Sequence, residues 1–175
     1  MYVARHHLTV APLEQDALMA EIKPVHAELR LKPGFRWAMV LRSAEDTSRL
    51  AAVAMWLNRE DAGNAGFPAQ HYDVATARGA MTPASVAAIV DWRVEPDSAP
   101  GFVNRWNAAY HAIEDTIGSR LLQDLDDPAH YAGLHVATSE GNLSDAILQR
   151  ANAEAGSGVQ PDRVERFEVL DLVEA

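Results

Sequence analysis

The sequence predicts an α+β protein in which two β-α-β-β-α-β units of one chain close on each other as an eight-stranded barrel. Three observations lead there. First, the chain repeats. Shifted by 84 positions, residues of like character align without a gap from Ala4 to Arg36. Leu8 meets Trp92, Val10 meets Val94, Pro12 meets Pro96, Leu18 meets Phe102, Ile22 meets Trp106 and Leu29 meets Ile113. Self-similarity at a fixed period marks two copies of one structural unit. Second, hydrophobic periodicity reads in the same order in both copies. Third, Arg49 to Leu57 is nearly all apolar, so both faces of that strand call for burial.

Tyr2 to Val10 alternates as a strand, with Ala4, His6, Leu8 and Val10 on one face. Pro12 opens a helix whose apolar stripe is Leu18, Ile22, Val25 and Leu29, with a kink expected at Pro24. Pro33-Gly34 ends it, Gly34 being free to take a positive φ. Phe35 to Arg42 is a strand, Ser43 to Ser48 a polar turn, and Arg49 to Leu57 the apolar strand. Asn58 to Asn64 reads as a short helix with Asn58 as N-cap, and His71 to Ala80 as the fourth strand. That order is the ferredoxin-like unit.

The second copy follows the same plan. Val86 to Glu95 is a strand, and Ala99 to Ile117 a helix with Phe102, Trp106, Ala109 and Ile113 as its stripe. Gly118 to Asp126 and His130 to Thr138 form a hairpin three residues shorter than its counterpart. The offset there becomes 81, so Val53 meets Leu134 and Met55 meets Val136. Ser139 caps a helix to about Ala153, Gly156-Ser157-Gly158 is a turn, and Val164 to Val173 is the last strand. The expected organisation is a first repeat over 1–80 and a diverged second repeat over 86–175, with Gly79 to Ser85 between them.

A four-stranded sheet with both helices on one side leaves its other face bare. Packing the two bare faces together buries both. At 175 residues either half alone has a marginal core, whereas the two together have a sufficient one. A net charge of -10 disfavours nucleic acid and anionic membranes as partners. No segment approaches the roughly 20 apolar residues of a membrane span. No basic stretch followed by an apolar run opens the chain, so a cytoplasmic location is the expectation. The absence of cysteine removes disulfides, thiolate metal sites and a thiol nucleophile.

Between Lys32 and Ala62 the chain reads Lys-Pro-Gly-Phe-Arg, then Val-Leu-Arg-Ser-Ala-Glu-Asp, then the buried strand ending in Trp56, then Asn-Arg-Glu-Asp-Ala. This segment resembles the antibiotic biosynthesis monooxygenase family of dimeric α+β barrel proteins. Pro24 within the helix and Trp56 at the strand end match, while Ala137 stands where Trp56 would align in the second copy. The resemblance implies one of three things. Some members oxidise polycyclic hydroquinones or anthrones with molecular oxygen and no cofactor, some bind and degrade haem, and many have no known reaction. The haem-degrading branch carries an asparagine on the first strand, a tryptophan on the second helix and an axial histidine soon after. Here the first-strand position is His6, the helix lacks tryptophan, and His71 is the nearby histidine, so this branch fits less well.

Each candidate site residue has a structural reading beside its functional one. Trp56 reads as core packing or as a pocket wall. His6, on an apolar strand face and matched by Val90, reads as a base or as a satisfied core histidine. His71 and Tyr72 read as a pocket mouth or as edge polarity. His6 and His7 point to opposite faces, as do His130 and His135, so neither pair suits a metal and none is expected. Arg36 and Arg120 recur after the helix-ending glycine and are expected to contact the helix C-terminus. The functional expectation is a cofactor-independent monooxygenase for an aromatic or quinone-like molecule. His6 would act as base or donor, with Trp56, His71 and Tyr72 around the substrate. The alternative is a non-enzymatic small-molecule binding or stress-related protein. The barrel is a pseudo-dimer within one chain, and further homodimerisation is optional.

Overall fold

The computed structural model describes residues 1–63, 68–113 and 117–175. The first half comprises β1 (Tyr2–Thr9), α1 (Gln15–Leu29), β2 (Phe35–Ser43), β3 (Arg49–Trp56), α2 (Arg59–Ala62) and β4 (Gln70–Gly79). The second comprises β5 (Val86–Arg93), α3 (Ala99–His111), β6 (Gly118–Asp124), β7 (His130–Ala137), α4 (Asp145–Gly156) and β8 (Arg163–Glu174). Single 3-10 turns, Pro12–Glu14 and Pro96–Ser98, lead into α1 and α3, each opened by a proline whose fixed φ suits that position.

The strands close into one antiparallel barrel in the order β1-β3-β2-β8-β5-β7-β6-β4. Each half contributes four consecutive staves. Two ladders join the halves: β2 with β8, pairing Trp37 to Glu174, and β4 with β6, pairing Tyr72 to Asp124. The internal repeat is visible in the register. Tyr2 pairs with Trp56 in the first half and Val86 with Ala137 in the second, the same pair moved by 84 and 81 positions. The inward faces, with Met39, Leu41, Val53, Ile89, Leu134 and Phe167, pack as one apolar core inside the barrel. Closure gives each strand a paired neighbour on both sides, which blunts the usual route to edge-to-edge association.

The helices lie outside, and the two halves treat them differently. Phe102, Trp106 and Ala109 of the expected stripe are buried along α3 and joined by Tyr110 against Ala151 and Ala155 of α4; the helix ends at His111, short of its expected range, and Ile113 is buried just beyond it. In α1 the expected stripe is corrected. Gln15, Met19 and His26 are its buried residues, Leu18, Ile22 and Leu29 are half-buried, and Val25 is 54% exposed. The turn of α1 toward Gln15 and His26 follows from polar partners. Gln15 donates to the Val10 carbonyl, and His26 meets Asp171 of β8 at 2.6 Å. The short second helix of the first half spans only Arg59–Ala62, and the remainder of its expected range reaches past the described residues. Asn58 makes no backbone cap; its side-chain amide donates to Asp61 instead.

Gly34 has φ +74°, and a Cβ there would fall 2.1 Å from a carboxylate oxygen of Asp61. Its carbonyl accepts the Leu57 N–H at 2.7 Å, so the glycine seats the start of β2 against α2. Arg36 and Arg120 do not share the expected role at helix C-termini. Arg36 is exposed beside a bulge in β2, whereas Arg120 is buried and donates to the carbonyls of Ser119, Arg78 and Gly79 on β6 and β4. Among the described residues no helix is long and apolar enough to cross a membrane.

Two histidines on β7 titrate in opposite senses. His135 is fully buried, hydrogen-bonded through Nδ1 to Ser119 Oγ at 3.1 Å and stacked on Tyr110 at 3.9 Å. Burial pushes its pKa down to about 3, so it is neutral in the fold. His130 lies between Asp91 and Asp124, whose hydrogen bonds and charge raise its pKa. His135 therefore weakens the fold as pH drops below the ordinary histidine value of about 6.5, by about 1.4 kcal/mol per pH unit. The His130 contribution is full below that value and is lost as pH rises through its raised pKa. Urea unfolding from pH 4.5 to 8 is expected to show a shallower acid limb in His135→Phe, and loss of part of the alkaline decline in His130→Gln. Gly34→Ala is expected to destabilise by about 1–2 kcal/mol in the same assay, from the left-handed backbone it must adopt and the displaced Asp61.

Candidate functional site

Small residues on the outward face of the first-half sheet create a cavity of about 210 Å³ under α1 and α2. Strand alternation brings Tyr2, Ala4 and His6 of β1 to one face, and Ala54 and Trp56 of β3 beside them. His71 comes from β4, opposite Ala4 in the ladder, and Leu29 of α1 covers the group. The structure thus gathers His6, Trp56 and His71 around one space. Tyr72 is not among them. It follows His71 in an alternating strand, so its side chain enters the barrel interior, where it is fully buried. Tyr2 replaces it at the cavity. Its even position in the first strand, on the face shared by Ala4 and His6, was the available sequence signal.

Trp56 is both packing and wall. It is buried against Phe35 in an edge-to-face arrangement with ring centroids 5.2 Å apart, and it also borders the cavity. The Tyr2 hydroxyl and Nδ1 of His71 share a hydrogen bond of 2.5 Å, and the two rings stack at 5.8 Å. Burial raises the Tyr2 pKa, with Arg59 opposing, so the phenol keeps its proton at neutral pH. The Arg59 guanidinium lies 6.0 Å from the centre of that ring. His6 makes a hydrogen bond from Nδ1 to the Pro68 carbonyl at 3.1 Å. A carbonyl only accepts, so Nδ1 carries a proton, and Nε2 is the nitrogen left for another partner. The cavity thus combines an aromatic wall, a histidine in a defined tautomer and a phenol–imidazole pair able to donate. Among the described residues no group of three or more histidine or carboxylate side chains is placed to hold a metal.

The register shows why the corresponding space in the second half is occupied. Ala54 corresponds to His135, Trp56 to Ala137 and His6 to Val90. His135 fills the volume that Ala54 leaves open, stacking on Tyr110 and lying 5.4 Å from Trp106. Leu143 and Leu148, from the turn before α4 and from α4 itself, pack against Ala88 and Ala137. Among the described residues α2 contributes only the small side chain of Ala62 to the cavity wall.

The sequence matches no protein-family model and no curated protein. Solved structures do resemble the fold. A candidate monooxygenase from Fusobacterium nucleatum superposes with a TM-score of 0.80 at 10% identity, covering 99% of this chain and 94% of that one. An anthrone oxidase-like protein gives 0.68 at 12% identity over 99% and 92% of the two chains. A ferredoxin-fold protein from Listeria monocytogenes, described as related to antibiotic biosynthesis monooxygenases, gives 0.60 at 11% identity over 97% and 95%. At these identities the likeness establishes architecture, and the chain has the tandem ferredoxin-fold α+β barrel seen in monooxygenase-like proteins.

Proposed function

We propose that the chain is a cofactor-independent monooxygenase acting on a small aromatic or quinone-like molecule bound among Tyr2, His6, Trp56 and His71. The observation that carries this reading is the His6 tautomer. The imidazole is held through Nδ1–H to the Pro68 carbonyl at the edge of an aromatic-walled cavity, which leaves Nε2 as the nitrogen that could take a proton. Such a group suits removal of a proton from an acidic C–H or phenol. The substrate anion would pass electrons to oxygen and form a C–O bond. Proton return gives a hydroperoxide, and loss of water leaves a carbonyl. In sum, a ring CH₂ and O₂ become C=O and H₂O. The Tyr2–His71 pair would steady the negative charge in the first and second steps. The anthrone oxidase-like neighbour and the candidate monooxygenase support the reading at the level of fold.

Cavity size narrows the substrate class. At about 210 Å³ the space lies below the roughly 300–1,000 Å³ usual for small-molecule pockets, which favours one or two fused rings over larger polycycles. The same smallness supports a second reading, ligand binding without turnover. Haem binding gains no support from α2, which holds no tryptophan.

Oxygen uptake by metal-free protein, with a panel of naphthols, hydroquinones and anthrones, tests the proposal. Turnover above the spontaneous rate is expected for the smaller rings. It should fall by about 10²- to 10⁴-fold in His6→Ala with the fold intact by circular dichroism, and by a smaller factor in Tyr2→Phe. Quenching of tryptophan fluorescence by ligand without oxygen uptake would replace the enzyme with a binding protein.

A further inference from the structure

The aromatic cavity has two unlike ends. Tyr2 and His6 both line it, four residues apart on β1 and so about 13 Å apart along the strand. Between them the floor is made of small side chains, because Ala4 pairs with Ala54 across the β1–β3 ladder. His6 stands at one end, its Nδ1 committed to the Pro68 carbonyl. Tyr2 stands at the other, hydrogen-bonded to His71. A planar molecule lying on the alanines meets the two ends with different atoms.

The Tyr2 end also carries a charge at its rim. Arg59 opens α2, three residues before Ala62 of the cavity wall. Its guanidinium lies over the Tyr2 ring, 6.0 Å from the ring centre, and its charge offsets part of the burial-driven rise in the Tyr2 pKa. Arg59 is exposed, and among the described residues it forms no ion pair and no hydrogen bond. Neighbouring carboxylates do not claim it. Asp61 accepts the Asn58 amide at 3.1 Å and lies against Gly34, and Asp73, across the β1–β4 ladder from Tyr2, is exposed. A guanidinium resting on a ring keeps its in-plane N–H donors free, and that fork matches a carboxylate. A cavity of about 210 Å³ encloses one or two fused rings, so a substituent on the edge beside Tyr2 projects toward this rim.

We propose that Arg59 sets the substrate class of the cavity: a one- or two-ring phenol bearing a carboxylate at the edge opposite its reacting position, with the carboxylate on the Arg59 guanidinium and the reacting edge at His6. This rests on the reading of the cavity as a monooxygenase site and adds an orientation to it. Reversed binding would leave the carboxylate without its cation.

Isothermal titration calorimetry without oxygen, at neutral pH, keeps binding apart from turnover. The probes are 6-hydroxy-2-naphthoate, with hydroxyl and carboxylate at opposite ends, 1-hydroxy-2-naphthoate, with the two adjacent, and uncharged 2-naphthol. The expected result is that 6-hydroxy-2-naphthoate binds about five- to tenfold more tightly than 2-naphthol, and that 1-hydroxy-2-naphthoate gains no such advantage. The advantage should disappear in Arg59→Gln, persist in large part in Arg59→Lys and shrink as salt is raised, while 2-naphthol affinity stays the same in all three proteins. Equal affinity of the wild-type protein for 6-hydroxy-2-naphthoate and 2-naphthol would overturn the proposal and leave the cavity reading intact. So would a preference that survives in Arg59→Gln. Failure of all three probes to bind would overturn both. An Arg59-dependent preference with no oxygen uptake on readmitting air would uphold the assignment of Arg59 and overturn the monooxygenase reading alone.

Discussion

The structure depends on the burial of two sheet faces that neither half can cover alone. A β-α-β-β-α-β unit places its helices on one side, so the other side, here carrying Met39, Leu41, Val53, Ile89 and Leu134, must find a second apolar surface. The chain meets that need internally. The β2–β8 and β4–β6 ladders are therefore more than seams, because they set the distance across which the inward side chains interdigitate. They also join residues far apart in sequence, so the barrel as a whole is the unit that excludes water.

Once the interior is shared, the outer faces are free to differ, and they do. Under α3 and α4 the surface is packed with Trp92, Phe102, Trp106, Tyr110 and Tyr131. Under α1 and α2 it is thin, with alanines at positions 4 and 54 and a helix of one turn. The cavity is the direct result of this difference in side-chain volume and helix length. Its chemistry follows from which polar groups remain at the thinned face: a phenol and an imidazole bonded to each other, and a second imidazole tied to a backbone carbonyl.

The fold was legible in the sequence because period, alternation and turn residues all agree across two copies, and such agreement is hard to produce by chance. The candidate site was partly legible. His6 and His71 fall on the cavity face by alternation along their strands, and Trp56 by its place at the end of β3. Tyr72 was misplaced because adjacency in sequence was read as adjacency in space, whereas a strand sends neighbours to opposite sides. Charges at one end of the barrel escaped notice for a different reason. Arg5, Asp91, Asp124 and Glu165 are polar residues facing inward, and hydrophobic patterning assigns such positions to solvent. The rotation of α1 was hidden likewise, since Gln15 and His26 are buried for their hydrogen bonds and not for their hydrophobicity.

The correspondence between Ala54 and His135 has a wider meaning. In a symmetric dimer one codon governs both copies of a position, so a residue that opens one chamber opens its twin and any fault is duplicated. Joining the copies in one polypeptide breaks that bond. One lobe can be hollowed out by an alanine while the other, at the same structural address, is made solid by a ring stack that stiffens the shared barrel. Rigidity and access, which compete within a symmetric assembly, are here assigned to different stretches of a single gene product.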